Sequence, residues 1–151
     1  MTGLKRILLV EDNPNDVELT LAAFTEHHLA NEVVVMRDGA DALDYLFRRG
    51  AYTGRLAGNP AVVLLDLKLP KVNGLEVLEA VRAEPSLHTL PIVVLTSSRE
   101  EPDLHRCYEL GVNAYVVKPV DFSDFIRAVG NLGVFWALIN QPPPGSRSAK
   151  G

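Results

Sequence analysis

The chain has 151 residues, of which 47% are hydrophobic, and its formal net charge is -4. This length can bury one hydrophobic core but is short for two domains, so a single domain is expected. The negative charge and the lack of a Lys/Arg-rich run argue against direct binding to nucleic acid. No apolar run approaches the roughly 20 residues that cross a membrane, so the sequence predicts a cytoplasmic protein.

Short apolar runs alternate with longer segments of helical period, which is typical of βα units wound into a parallel sheet. Five strands are predicted, at residues 5–10, 32–36, 62–65, 92–95 and 114–117. All but the second are almost wholly apolar, as expected of strands covered on both faces, so the second is predicted at an edge of the sheet. The pattern therefore predicts an α/β fold with a doubly wound, five-stranded parallel sheet.

Helix signals lie between and after these strands. Asn13 can cap the first helix and Pro14 suits its first position. The other four helices are predicted at residues 39–48, 74–84, 102–110 and 121–136. Gly111 is expected to stop the fourth helix. Residues 49–60 are predicted to form a long loop, and the single cysteine, Cys107, is interpreted as a small buried hydrophobe.

Polar residues stand where the predicted strands end. Glu11 and Asp12 follow the first strand, Asp66 follows the third, Thr96 the fourth and Lys118 the fifth. Right-handed crossovers place the carboxyl ends of parallel strands at one edge of the sheet, so these side chains are expected to share one shallow pocket. This convergence is the main functional prediction from the sequence.

Three carboxylates in one pocket repel one another unless a divalent cation offsets their charge. Mg2+ fits, because it prefers octahedral oxygen coordination with few protein ligands and several waters. We predict that Asp12, Asp66 and the backbone carbonyl of Lys68 are its protein ligands, and that Glu11 acts through a bound water. Asp66 would attack a phosphorus atom while Mg2+ and the Lys118 ammonium neutralise charge on the transferring oxygens.

Each of these residues also has an ordinary structural interpretation when it is taken alone. Asp12 could be a charge at a helix end, Thr96 a cap at a strand end, and Lys118 a solvated terminus. Their joint order on successive strand ends is much harder to obtain by chance. We therefore predict a phosphoryl-accepting site in which the Thr96 hydroxyl donates to a phosphoryl oxygen.

Four motifs resemble the receiver domains of two-component signalling over residues 5 to about 132. They are LLVEDN at 8–13, LLDLKLP at 64–70 with Gly74, VLTS at 94–97 and GVNAYVVKP at 111–119. The resemblance implies a flavodoxin-like fold of strand order 2-1-3-4-5, with a receiver domain at 4–132 and a C-terminal extension at 133–151.

The same resemblance implies roles for individual residues. Asp66 would be the phosphoacceptor for a sensor histidine kinase, and Thr96 and Tyr115 the hydroxyl and the aromatic residue of a conformational switch. A cis peptide would join Lys118 to Pro119 and aim the lysine into the pocket. The chain departs from the family at Leu69 and Asn73, where Met and Asp are frequent, and neither change removes a catalytic group.

Two features narrow the resemblance. The chain has a long insertion before the third strand and a Phe135-Trp136 pair. In both features it resembles the single-domain regulators that partner bacterial phytochrome kinases. The expected partner is therefore a sensor histidine kinase of the bacteriophytochrome class, and no output domain is expected. The protein is not expected to be an enzyme beyond its own phosphorylation and dephosphorylation.

Two other functions share part of this residue pattern. A phosphatase of the haloacid dehalogenase type also uses an aspartyl nucleophile and Mg2+, but it needs a second acid two residues after the nucleophile, where this chain has Lys68. A degenerate receiver that acts only as an interaction module would have lost the acids or the lysine, and this chain retains them. The phosphoacceptor interpretation is favoured over both.

The chain is strongly apolar from the end of the predicted fifth helix onward, over residues 132–139. The large side chains of this segment are those of Leu132, Val134, Phe135, Trp136, Leu138 and Ile139. Too much of this segment is hydrophobic for a solvated tail, so we predict that it docks on a second subunit in a two-fold homodimer. The alternative, in which these side chains fold back on their own domain, remains open.

Overall fold

The strands are short runs of β-branched residues and leucine, a composition that suits strands covered on both faces. The computed structural model of the chain describes residues 6–26, 33–55, 58–96, 101–112 and 114–117. Its strands are β1 (Ile7–Val10), β2 (Val33–Met36), β3 (Val62–Leu65), β4 (Ile92–Thr96) and β5 (Ala114–Val117). All pairs are parallel and the order is β2-β1-β3-β4-β5. The predicted flavodoxin-like parallel sheet is confirmed, and β2 lies at an edge.

Four helices connect the described strands. They are α1 (Pro14–Glu26), α2 (Gly39–Phe47), α3 (Gly74–Ala83) and α4 (Glu101–Glu109). The predicted cap of α1 is present, since the Asn13 side chain accepts the backbone N–H groups of Asn15 and Asp16. None of the helices in the described ranges has the length and apolar character needed to cross a bilayer. The predicted fifth helix, at residues 121–136, lies outside the described residues.

Helix ends differ from the prediction by one residue. Arg48 has a left-handed φ of 55° and ends α2 at Phe47 rather than at position 48. Glu84 is extended and ends α3 at Ala83. The fourth helix lies one residue earlier than predicted, and Gly111 follows it with a φ of 74°. Left-handed and extended residues cannot continue the i to i-4 bonding of a helix, so they set these boundaries.

The insertion before β3 is more ordered than the predicted loop. It contains a 3-10 turn at Gly50–Tyr52. Beyond the turn, the Arg55 guanidinium donates to the carbonyls of Tyr45 at 2.6 Å and Gly58 at 2.9 Å, and it lies 4.3 Å from the centroid of the Tyr45 ring. Buried Arg6 donates to the Tyr45 hydroxyl at 2.7 Å. The described part of the insertion is therefore attached to the end of α2 and to Arg6, the residue that precedes β1.

Side chains alternate between the two faces of the sheet and form two cores. On one face, the strand residues Leu8, Val10, Val63, Leu65, Ile92 and Val94 pack with α2, α3 and α4. On the other face, Ile7, Leu9, Val62, Leu64, Val93 and Leu95 pack with α1. Because both faces are covered, each of these strands must be apolar along its whole length.

The side chain of Arg82, in the last turn of α3, joins three separate segments. It donates to the carbonyls of Leu110 at 2.6 Å and Gly111 at 3.0 Å, just after α4. It also donates to those of Leu90 at 2.8 Å and His88 at 3.0 Å, just before β4. Burial lowers the pKa of Arg82. The end of α4 is thus held to α3 and to the segment that enters β4.

The prediction that Cys107 is a buried hydrophobe is confirmed, because its side chain is fully buried. Burial, and secondarily the nearby Asp103 carboxylate, raises the pKa of its thiol to about 11. Thiolates rather than thiols are the reactive form, so the native protein at pH 8 should resist alkylation by iodoacetamide. We expect labelling only in denaturant, followed by intact mass measurement. Equal labelling rates in native and denatured protein would contradict this burial.

Candidate metal centre

The ends of β1 and β3 bring three carboxylates together. Val10 and Leu65 are register partners, and the backbone N–H of Asp66 donates to the Val10 carbonyl at 3.0 Å. Both strands therefore leave the sheet at the same level. Glu11, Asp12 and Asp66 each offer a carboxylate oxygen, and these oxygens lie within 4.8 Å of one another. The predicted convergence of the acidic residues is confirmed.

The three acids differ in their surroundings. Glu11 is 3% exposed and Asp66 is 7% exposed, whereas Asp12 is exposed. Oε2 of Glu11 accepts the backbone N–H of Asn13 at 3.2 Å, and Oδ1 of Asp66 accepts that of Lys68 at 3.1 Å. These bonds restrict the rotation of both buried carboxylates. The cluster therefore combines two restrained, buried carboxylates with one exposed carboxylate.

This donor set fits a divalent cation. The cluster contains only carboxylate oxygens, which hard cations such as Mg2+ and Mn2+ prefer. Crowding of the three negative charges, two of them buried, is relieved when a cation lies between them. The exposed Asp12 leaves the cluster open to solvent on one side, which suits an ion that keeps several water ligands.

A cleft of about 500 Å3 lies beside the acidic cluster. Its polar lining includes Asp12, Lys68, Asn73 and Asp103. Its apolar lining is formed by Leu67, Leu69, Pro70 and Leu75. The sequence interpretation missed Asp103, and the available signal was a carboxylate in the first turn of the helix that follows β4. Asp12 is the member of the acidic cluster that lines this cleft, so the cleft opens next to the exposed carboxylate of the cluster.

The segment between Asp66 and α3 ends in a capping box. The Asn73 side chain accepts the backbone N–H of Glu76 at 3.0 Å, and the Glu76 carboxylate accepts that of Asn73 at 3.0 Å. The departure from the family at position 73 therefore preserves the cap. The Asn-x-x-Glu spacing signals this arrangement in the sequence, but the sequence interpretation did not use it.

The other predicted site residues are described only partly. Thr96 is the last residue of β4, so its backbone reaches the same edge of the sheet as the acids. Tyr115 lies in β5, where its register partner is Val94. The side chains of Thr96 and Tyr115 are outside the described part of the structure, as are Lys118 and Pro119. Their roles remain predictions.

The family model of the response regulator receiver domain matches residues 7–130, and the chain belongs to this family. The response regulator Rcp1 of Synechocystis sp. is 38% identical over 132 residues, which are 87% of this chain and 88% of Rcp1. The bacteriophytochrome response regulator AtBRR is 64% identical, with 92% of this chain and 99% of that chain covered and a TM-score of 0.74. The chain is therefore a receiver of two-component signalling with relatives in phytochrome signalling.

Solved structures of two relatives bear on the site. The phosphorylated cyanobacterial phytochrome response regulator RcpA is 38% identical and superposes with a TM-score of 0.85 over 93% of this chain and 99% of that one. The Mn2+-bound form of Rcp1 is 37% identical and superposes with a TM-score of 0.84 over 92% and 99% of the two chains. The acidic cluster thus belongs to a family with members that bind a divalent metal.

Proposed function

We propose that this chain is a phosphoacceptor response regulator that receives a phosphoryl group on Asp66 from a sensor histidine kinase in a Mg2+-dependent reaction. The observation that carries the proposal is the meeting of Glu11, Asp12 and Asp66 within 4.8 Å at the ends of two adjacent strands. The phytochrome-linked relatives support a kinase of the bacteriophytochrome class. The working unit would be a cytoplasmic receiver domain at 4–132, completed by a fifth helix, with an extension at 133–151.

Asp66 is placed to act as the nucleophile. The N–H of Lys68 donates to its Oδ1 at 3.1 Å and so restricts the rotation of the carboxylate. A carboxylate oxygen attacks the phosphorus in line, the new O–P bond forms as the P–N bond to the kinase histidine breaks, and the imidazole nitrogen keeps the electron pair. A divalent cation held by Asp12, Asp66 and the Lys68 carbonyl, with Glu11 acting through water, would neutralise charge on the carboxylates and the transferring oxygens.

Three further residues complete the proposal. The Lys118 ammonium would pair with one phosphoryl oxygen and the Thr96 hydroxyl would donate to another. Movement of that hydroxyl toward the phosphoryl group would vacate space into which the Tyr115 ring turns. Phosphorylation would then shift a population between two existing arrangements of the surface around α4 and β5.

The chain is proposed to catalyse only its own phosphorylation and dephosphorylation. A phosphatase of the haloacid dehalogenase type would need a carboxylate two residues after Asp66, where the exposed side chain of Lys68 stands instead. A degenerate receiver would lack the acids or the lysine, whereas the three acids meet here and the sequence retains Lys118. The phosphoacceptor role is therefore preferred to both alternatives.

One experiment separates these three functions. The full chain is incubated with acetyl phosphate and Mg2+ and its intact mass is measured, with EDTA in a parallel sample. A single stable phosphorylation that is lost with EDTA supports the phosphoacceptor role. Continuous hydrolysis of the donor without a labelled protein would indicate a phosphatase, and an unchanged mass with unchanged donor would indicate a degenerate module.

We also propose that the chain forms a homodimer through its C-terminal extension. The residues assigned to the interface, which lie outside the described residues, are Phe135, Trp136, Leu138 and Ile139. Light scattering at micromolar concentration should give a dimeric mass for the full chain and a monomeric mass after truncation following Leu132. A monomeric full chain would exclude the exchanged arm, and a truncated dimer would move the interface elsewhere.

A further inference from the structure

The loop that follows Asp66, residues 67–73, packs against the start of α2 as well as α3. The backbone N–H of Gly39, the first residue of α2, donates to the Pro70 carbonyl at 3.3 Å. The helix cap Asp38 lies 3.6 Å from the Lys71 ammonium, and Lys71 has a left-handed φ of 69°. The loop therefore bends where it meets α2, and α2 contacts it through both backbone and side chain.

The contact at Gly39 is too close for any side chain. A Cβ atom at this position would overlap the carbonyl oxygen of Val72 and would lie 2.7 Å from its carbonyl carbon. Cβ atoms essentially never approach other heavy atoms to within 3.0 Å. The obstructing atoms belong to the backbone, so they cannot rotate away. A methyl group at position 39 would therefore move the loop, the helix, or both.

On its other side the loop is held by Gly74, the first residue of α3. Its N–H donates to the Leu67 carbonyl at 2.8 Å. A Cβ atom there would overlap the carbonyl oxygen of Asp66 and would lie 2.5 Å from the Leu67 Cα. The loop is thus confined between the first residues of α2 and α3, both of which are glycines.

The confined loop carries the groups that the metal centre needs. It begins directly after Asp66 and includes Lys68, whose N–H bonds to the Asp66 carboxylate at 3.1 Å. The Lys68 carbonyl is also the proposed third protein ligand. Mg2+ requires near-ideal octahedral geometry with distances of about 2.0–2.1 Å, so it tolerates little displacement of its ligands. A displaced loop should therefore weaken metal binding.

We propose that Gly39 is a positioning residue for the metal centre. Because Gly39 has no side chain, the start of α2 packs closely against residues 70–72. This contact sets the positions of Lys68 and of the Asp66 carboxylate. The inference rests on the proposed metal-dependent function. It assigns a role in metal affinity to a residue on a different helix, outside the acidic cluster.

The test compares Gly39→Ala with the matched control Gly54→Ala. A Cβ atom at Gly54 would have no heavy atom within 4 Å, so the same substitution there meets open space. Mg2+ affinity is measured by titration calorimetry and the fold by circular dichroism. We expect Gly39→Ala to bind Mg2+ at least about 10-fold more weakly while still folded, as for loss of groups that orient metal ligands, and Gly54→Ala to match the unsubstituted chain.

A measurement on the unsubstituted chain covers the case in which Gly39→Ala does not fold. The amide resonance of Gly39 should shift on Mg2+ addition with the same midpoint as that of Lys68, while that of Gly54 stays in place. Unchanged affinity in a folded Gly39→Ala variant, or an unmoved Gly39 amide, would overturn the positioning role. Failure of the unsubstituted chain to bind Mg2+ would instead contradict the proposed function.

Discussion

Replacing Asp66 by asparagine should abolish phosphate incorporation and leave the fold intact. The amide keeps the shape of the carboxylate, and its oxygen can still accept the Lys68 N–H that now bonds to Oδ1. It lacks the negative charge that makes the carboxylate a nucleophile. The substitution also removes one of three crowded negative charges, so we expect no loss of thermal stability. Incubation with acetyl phosphate and Mg2+, followed by intact mass measurement, gives the result.

The matched control is Asp103→Asn. Asp103 lines the same cleft but is not part of the acidic cluster, so this variant should be labelled as fully as the unsubstituted chain. Circular dichroism melts of both variants check the fold. Full labelling of Asp66→Asn would show that the phosphoacceptor is another residue, and the exposed Asp12 would be the next candidate.

The second large effect is expected at Asp12, where replacement by alanine should lower Mg2+ affinity more than the same change at Glu11. Asp12 is proposed as a direct ligand, and Glu11 as one that acts through water. Loss of a group that orients metal ligands typically costs 10- to 100-fold in affinity, so we expect about 10-fold for Glu11→Ala and more than about 100-fold for Asp12→Ala.

The two substitutions should also differ in their effect on the stability of the fold. Glu11 is buried and accepts the Asn13 N–H at 3.2 Å, so its removal should destabilise the fold by about 1–3 kcal/mol, whereas the exposed Asp12 should matter little. Titration calorimetry measures affinity and urea unfolding measures stability. Asp16→Ala, in the first turn of α1 and outside the cluster, is the control. Unchanged affinity in both variants would disprove the proposed coordination.

Strand positions and the acidic cluster could be predicted because they follow from local pattern and general topology. A strand that is covered on both faces must be apolar throughout, which marked β3 at Val62–Leu65 without error. Carboxyl ends of parallel strands meet at one edge, so Glu11 and Asp66 were expected to meet although they are far apart in sequence.

Other features depend on contacts that no local pattern encodes. The insertion is held to α2 by the contacts of the Arg55 guanidinium with Tyr45. The helix α2 ends at a left-handed Arg48, a conformation that is rare for a residue with a side chain. The role of Gly39 is visible only once α2 and the loop after Asp66 are placed together. From the sequence alone, the Asp38-Gly39 pair indicates only the start of a helix.

The four bonds of Arg82 have a consequence for how this region can diverge among relatives. All of its acceptors are main-chain carbonyls, which every amino acid supplies, so the bonds do not depend on which side chains follow them. The exposed His88 can be exchanged without altering the junction, whereas Leu90 is constrained separately by its burial. Arginine itself is not exchangeable, because lysine lacks the five-donor planar fork that reaches several acceptors at once. Exposed positions such as His88 can therefore differ among relatives while the path of the backbone stays the same, whereas Gly111 is constrained by its left-handed φ.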